Sequence, residues 1–138
     1  MTAQPLNDGV LELEGEPLHA IERGHTDTDG TSALHVPSIG LVVAGDVVYG
    51  DVHLYLAEAN ANGTQEWLDA LDAIEKLRPS VVVAGHKRDG DADNPEDIGR
   101  TRRYIRDFTS AAENAGSFMD LYQAMVALYP HRVNRGVL

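Results

Sequence analysis

Apolar and polar residues trade places with two different periods along this chain. From Val10 to Glu14 (VLELE) and again from Leu18 to Glu22 (LHAIE) the alternation has period two, which predicts half-buried strands. Gly15-Glu16-Pro17 separates the two runs, so they read as a hairpin. Gly24 to Gly30 is a loop of small and acidic residues, Ser32 to Val36 a third strand and Pro37-Ser38 a turn. Ile39 to Ala44 is almost wholly apolar, which predicts a strand covered on both faces.

Beyond Asn62 the period becomes helical. Trp67, Leu68, Leu71, Ile74 and Leu77 form one stripe over 64–78, with Asp69, Asp72 and Glu75 opposite, and Arg78-Pro79 ends the helix. The apolar run at 81–84 follows at once, giving the strand–helix–strand order of a parallel pairing. A second helix opens at Asp93-Asn94-Pro95, with Asn as cap and Pro at the first helical position. Its stripe is Ile98, Thr101, Ile105, Phe108 and Ala112, and Gly116 closes it. Ser117 with Asp120 predicts a capping box for a third helix carrying Phe118, Leu121, Tyr122, Met125 and Leu128. The whole, 1–138, reads as one α/β domain behind a polar leader, 1–9.

Charge narrows the partners. A formal net charge of −11 opposes binding to nucleic-acid phosphates or anionic membrane surfaces. With no cysteine in the chain, disulfides, thiolate nucleophiles and cysteine-type zinc sites drop out. No apolar run reaches the roughly 18 residues of a membrane span, and the first residues lack the basic and apolar regions of a secretion signal. These features predict a cytoplasmic location.

The candidate chemistry comes from an echo. LVVAGD at 41–46 and VVVAGH at 81–86 are apolar runs that break at Ala-Gly and then present Asp46 and His86, at an offset of forty residues. Glycine lets the backbone turn sharply, and in sheets with parallel crossovers ligands collect beyond the carboxyl ends of the strands. With His25 in the Gly24–Gly30 loop, an imidazole–imidazole–carboxylate set would suit zinc with an open position, lowering the pKa of bound water to about 7. Taken singly, each residue also reads blandly: histidine after glycine as a loop residue, aspartate after a strand as a turn cap. His53 and Lys87 are candidate pocket or supporting residues, and His19 and His35 read as structural strand residues. DGDADN at 89–94 fails as a calcium loop, with Asn94 where glycine is needed and Arg100 at the twelfth position; HTDTDG lacks the distal glutamate too. No nucleotide-binding glycine motif and no G-x-S-x-G elbow is present.

Together GHTDTDG, LHVPSIGLVVAGDVVY and VVVAGHKR, in that order, resemble the metallo-β-lactamase superfamily, specifically the C-terminal half of its domain. The resemblance implies an αββα sandwich of two similar ββα halves and one or two zinc ions activating water for hydrolysis of a small-molecule substrate. On the same match His25, Asp46 and His86 are the metal ligands. The family's first motif, H-x-H-x-D-H, has no counterpart here, since no H-x-H occurs, so the site is expected to be incomplete and no general acid can be named.

Half a sandwich would leave one sheet face bare, and monomers rarely expose apolar patches beyond a few hundred Å². Covering about 800 Å² per partner at about 25 cal/mol/Å² gives roughly 20 kcal/mol gross, against about 4–15 kcal/mol for association. The expectation is therefore a homodimer through that face. The alternative to a zinc hydrolase module is a non-catalytic half-domain, dimerising or complementing a separate N-terminal half.

Overall fold

The computed structural model describes residues 6–58 and 61–138; residues 1–5 of the expected leader lie outside them. Five strands form one sheet in sequential order: β1 (Val10–Leu13), β2 (Glu16–Gly24), β3 (Thr31–Val36), β4 (Leu41–Gly50) and β5 (Val81–Lys87). The first four pair antiparallel and β4–β5 is parallel. Three helices complete the chain: α1 (Ala61–Lys76), α2 (Glu96–Asn114) and α3 (Phe118–Leu128). Among the described residues no helix is long and apolar enough to cross a membrane.

The predicted hairpin is present but tighter than the sequence suggests. Leu13 faces Glu16, and the turn is made by Glu14 and Gly15, both at positive φ. Such a two-residue turn matches the twist of the flanking strands, so Glu16 and Pro17 fall inside β2 rather than in the connection. The echoed runs are side by side: Leu41, Val42 and Val43 pair with Val81, Val82 and Val83. The offset of forty residues is thus the register of the parallel pair.

Cross-strand partners share a face. Val42, Ala44, Val82 and Ala84 are buried under the helices with Trp67, Leu71, Ile74, Ile98 and Ile105. Trp67 donates its indole N–H to the Val47 carbonyl (2.8 Å), fixing α1 to β4. The other face carries Leu11, Leu18, Leu34, Val36, Leu41, Val43, Val81 and Val83. It is left open, with Val43 37% and Val81 36% exposed and Leu13, on the edge strand, 62%. The expectation that Ile39–Ala44 is covered on both faces therefore fails within this chain: the run alternates between buried and open positions.

Two further boundaries differ from expectation. Ile39 belongs to a 3₁₀ turn led by Pro37 and closed by Gly40 at φ 61°, so β4 starts at Leu41. It then runs through Ala-Gly to Gly50 instead of breaking there. The helix signals are met in part. The Glu96 N–H bonds Asn94 Oδ1 (2.9 Å), one position ahead of Pro95, the N-cap of α2. Ser117 Oγ accepts the Asp120 N–H (3.2 Å), while its hydroxyl donates to Asp120 Oδ2 (2.8 Å) in place of the backbone return bond of a full capping box. Thr101, on the apolar stripe of α2, is buried because its hydroxyl donates to the Tyr49 carbonyl and accepts the Tyr49 N–H, each at 3.0 Å. In α3 only Met125 is fully buried; Phe118 and Leu128 of its predicted stripe remain exposed.

Candidate metal centre

The parallel pair β4–β5 slips out of register twice, between Val43 and Gly45 and again between Gly45 and Tyr49. Val43 pairs with Val83, Gly45 with Ala84, and Tyr49 with His86, so Asp46, Val47 and Val48 have no partner in β5. Gly45 takes φ 55°, the left-handed conformation that suits a bulge. The bulge bends β4 and aims the Asp46 carboxylate at β5, where its Oδ1 lies 3.1 Å from His86 Nε2. Asp46 thus stands within a strand, not beyond its end as the sequence suggests. It nevertheless lies beside His86, as the sequence suggests, because the crossover puts the two strands side by side.

Gly85 makes this approach feasible. A Cβ there would lie 2.5 Å from Asp46 Oδ1 and 2.5 Å from the carbonyl carbon of Gly45. Backbone cannot yield as a flexible side chain can. Gly85→Ala is expected to lower unfolding stability by about 1–3 kcal/mol, the usual range for overpacking, read by urea denaturation. Gly99→Ala is the control: its Cβ meets nothing within 4 Å on α2, so stability should hold or rise by up to about 1 kcal/mol.

The third member of the cluster is Asp27. Asp27, Asp46 and His86 each offer a ligand atom within 4.8 Å of the others, the group of this kind found among the described residues. Asp27 is 5% exposed. Its Oδ2 accepts the Tyr49 hydroxyl (2.8 Å) and its Oδ1 the Thr26 hydroxyl (3.2 Å). Burial, and then the hydrogen bond to Asp27, push the Tyr49 phenol pKa well above its ordinary value, so Tyr49 stays a donor. The same ring packs on His86 with centroids 4.8 Å apart. One tyrosine thereby orients two of the three candidate ligands. Sequence reasoning passed over Asp27, tested only within a calcium loop; nothing local separates it from Asp29, which is exposed.

His25 is placed differently. Its ring rests against Gly63 in the first turn of α1, where an added Cβ would come within 2.6 Å of Cδ2, and its backbone N–H reaches Glu66 (3.3 Å). Its Nε2 is buried without a partner among the described residues, two positions from Asp27. Lys87 is paired with Asp93 and does not line the cavity at the cluster. His53 does: with Asp27, Tyr49, Tyr55, His86 and Asn134 it bounds a space of about 260 Å³.

His53 is fully buried. Burial first, then the charges of Arg132 and Arg135, push its pKa down to about 4. The imidazole is therefore neutral in the folded chain, whereas unfolding exposes a group titrating near 6.5. Between about pH 6.5 and 4 the unfolded state binds the extra proton, so this contribution to stability is complete above 6.5 and is lost as pH falls towards 4. The full span amounts to about 3 kcal/mol. Urea midpoints across that window, in wild type and His53→Gln, should show the steeper acid loss in wild type.

Comparison with known proteins settles the family. Residues 3–86 match the family model described as the metallo-beta-lactamase superfamily. The chain belongs to that superfamily. Metallo-β-lactamase relatives also share its fold. A metallo-β-lactamase family protein from Thermus thermophilus aligns with a TM-score of 0.64 at 23% identity, over 96% of this chain and 45% of its own. A β-lactamase domain protein from Burkholderia ambifaria gives 0.64 at 17%, covering 99% and 44%. A metallo-β-lactamase from Pontibacter korlensis gives 0.58 at 18%, covering 72% and 46%. The chain thus spans less than half the length of those structures. No curated protein sequence matches it significantly.

The donor set fits the metal that such a family implies. Two carboxylates and an imidazole converge on one point, held there by a bulge, a glycine and a tyrosine rather than left to chance at a loop tip.

Proposed function

We propose that this chain is a metal-dependent hydrolase module acting on a small-molecule ester, lactone, amide or related substrate. The observation that supports the reading best is the convergence of Asp27, Asp46 and His86 in a chain of this superfamily. Imidazole nitrogen with carboxylate oxygen is a donor combination suited to zinc, and zinc is the ion we assign. Asp46 and His86 would hold it from adjacent strands and Asp27 from the loop. His25 is a further ligand if its ring turns from Gly63 towards the cluster.

When bound, the ion supplies Lewis-acid activation of water. The chain's own residues supply the rest. The bulge at Gly45 sets the position of Asp46, Tyr49 fixes Asp27 and braces His86, and the cavity walls limit access to the reacting group. The test is elemental analysis of protein purified without chelator, followed by assay of the zinc-loaded chain on ester, lactone and β-lactam substrates. Zinc near one ion per chain, with hydrolysis of at least one class, is the expected result; no bound metal after loading would end the reading.

A second reading rests on a different observation, the open sheet face. We infer that a second copy of this chain covers it, sheet against sheet, as two-fold symmetry allows. On this reading the chain acts as a dimerising half-domain whatever its catalytic power, and an N-terminal half on another chain is the competing cover.

A further inference from the structure

His53 has a nitrogen that neither packing nor the metal cluster explains. The residue lies in the segment after β4, fastened by its N–H to the Val133 carbonyl (2.9 Å) and by the Val52–Val133 bridge. Its Nδ1 lies 2.8 Å from the Tyr104 hydroxyl. Its Nε2 is buried and has no partner among the described residues, although His53 is among the residues that line the cavity with Asp27 and His86. Buried polar atoms are nearly always satisfied, and one that is not calls for a reason.

The tautomer follows from Tyr104. Burial raises the pKa of that hydroxyl and keeps its proton in place. The single hydroxyl hydrogen needs an acceptor, and the side-chain atom within hydrogen-bond distance of it among the described residues is His53 Nδ1, in a contact that either atom could donate. With Nδ1 as the acceptor, the assignment that leaves the hydroxyl hydrogen paired, the hydrogen of the neutral ring is on Nε2. An N–H donor is no metal ligand, which agrees with the absence of His53 from the group of converging ligand atoms. Arg132, stacked over the Tyr104 ring at 4.7 Å, stands behind the pair as a fixed positive charge.

We propose that His53 Nε2–H is the hydrogen-bond donor that binds the carbonyl oxygen of a ligand in the metal cavity, with Tyr104 as the positioning residue that sets its tautomer. This rests on the hydrolase reading for the cavity being a substrate site. A donor that stays neutral and fixed costs little reorganisation when a carbonyl arrives. It also selects ligands: one without an oxygen acceptor at that point would leave the N–H unpaired.

The test uses the full chain with ¹⁵N-labelled histidine, metal-free and zinc-loaded, and N,N-dimethylacetamide as a carbonyl probe that has no donor of its own. Long-range ¹H–¹⁵N spectra should show His53 protonated on Nε2 and bare on Nδ1 in both forms, and Tyr104→Phe should lose that preference. The probe should move the Nε2–H resonance and bind roughly tenfold more weakly to His53→Ala, while zinc content stays unchanged. His53→Gln, which keeps an amide donor, should recover most of the affinity. A bare Nε2 that shifts on stoichiometric zinc would make His53 a ligand and overturn the proposal. So would unchanged probe affinity in both His53 variants. Failure to take up zinc would count against the hydrolase reading alone, because probe binding to the metal-free chain still decides the role of His53.

Discussion

Replacing His86 with alanine is expected to strip the chain of its bound zinc. Losing a partner of a metal ligand already costs about 10–100-fold in affinity, so removing a ligand itself should cost roughly 100-fold or more. With Asp27 and Asp46 the other converging donors among the described residues, no surplus ligand offsets the loss. Asp46→Ala should behave alike. Tyr49→Phe removes only the hydroxyl that holds Asp27 Oδ2 and should weaken zinc by roughly tenfold. His25→Ala is the informative fourth variant: an unchanged zinc content leaves the ring where it rests against Gly63, and a large loss shows that it joins the cluster. Competition with a chromophoric chelator reads all four. Equal zinc in wild type and His86→Ala would remove the proposed centre altogether.

A glutamate pair on the open sheet face, Val43→Glu with Val81→Glu, should dissociate the proposed dimer. Light scattering of wild type at micromolar concentration is expected to give twice the 15.0 kDa of one chain. The two valines stand on the face that carries Leu34, Leu41 and Val83. Burying unpaired carboxylates there costs several kcal/mol each, enough to shift assembly by orders of magnitude. The monomeric variant should fold as before, because both positions are already more than a third exposed in the single chain. A wild type that stays monomeric at those concentrations would sink the proposal.

Much of the fold is legible in periodicity. The stripe from Trp67 to Ile74 marks α1 because one side of that helix meets a sheet, and Asn94-Pro95 marks the start of α2 because the cap is local chemistry. What is not legible is set by contacts distant in sequence. The continuation of β4 to Gly50 depends on Thr101, 52 positions away, bonding Tyr49 from α2. Tyr104 went unremarked because its meaning comes from His53 and Arg132, which reach it from other elements. The site divides in the same way. Asp46 and His86 close a repeated motif on adjacent strands, so the sequence pairs them although the register slips between them. Asp27 joins through a tyrosine that no spacing rule connects to it, and His25, the more obvious residue in that loop, packs on a helix instead.

The bulge at Gly45 has a consequence for how the centre responds to an ion. A carboxylate at a loop tip must be recruited and immobilised, and binding bears that ordering cost. Asp46 is instead gripped from both directions, by pairing with β5 before the slip and by the tie to α2 after it. Charging the site with metal should therefore leave β4 where it is, and whatever adjustment occurs should fall on residues 25–30.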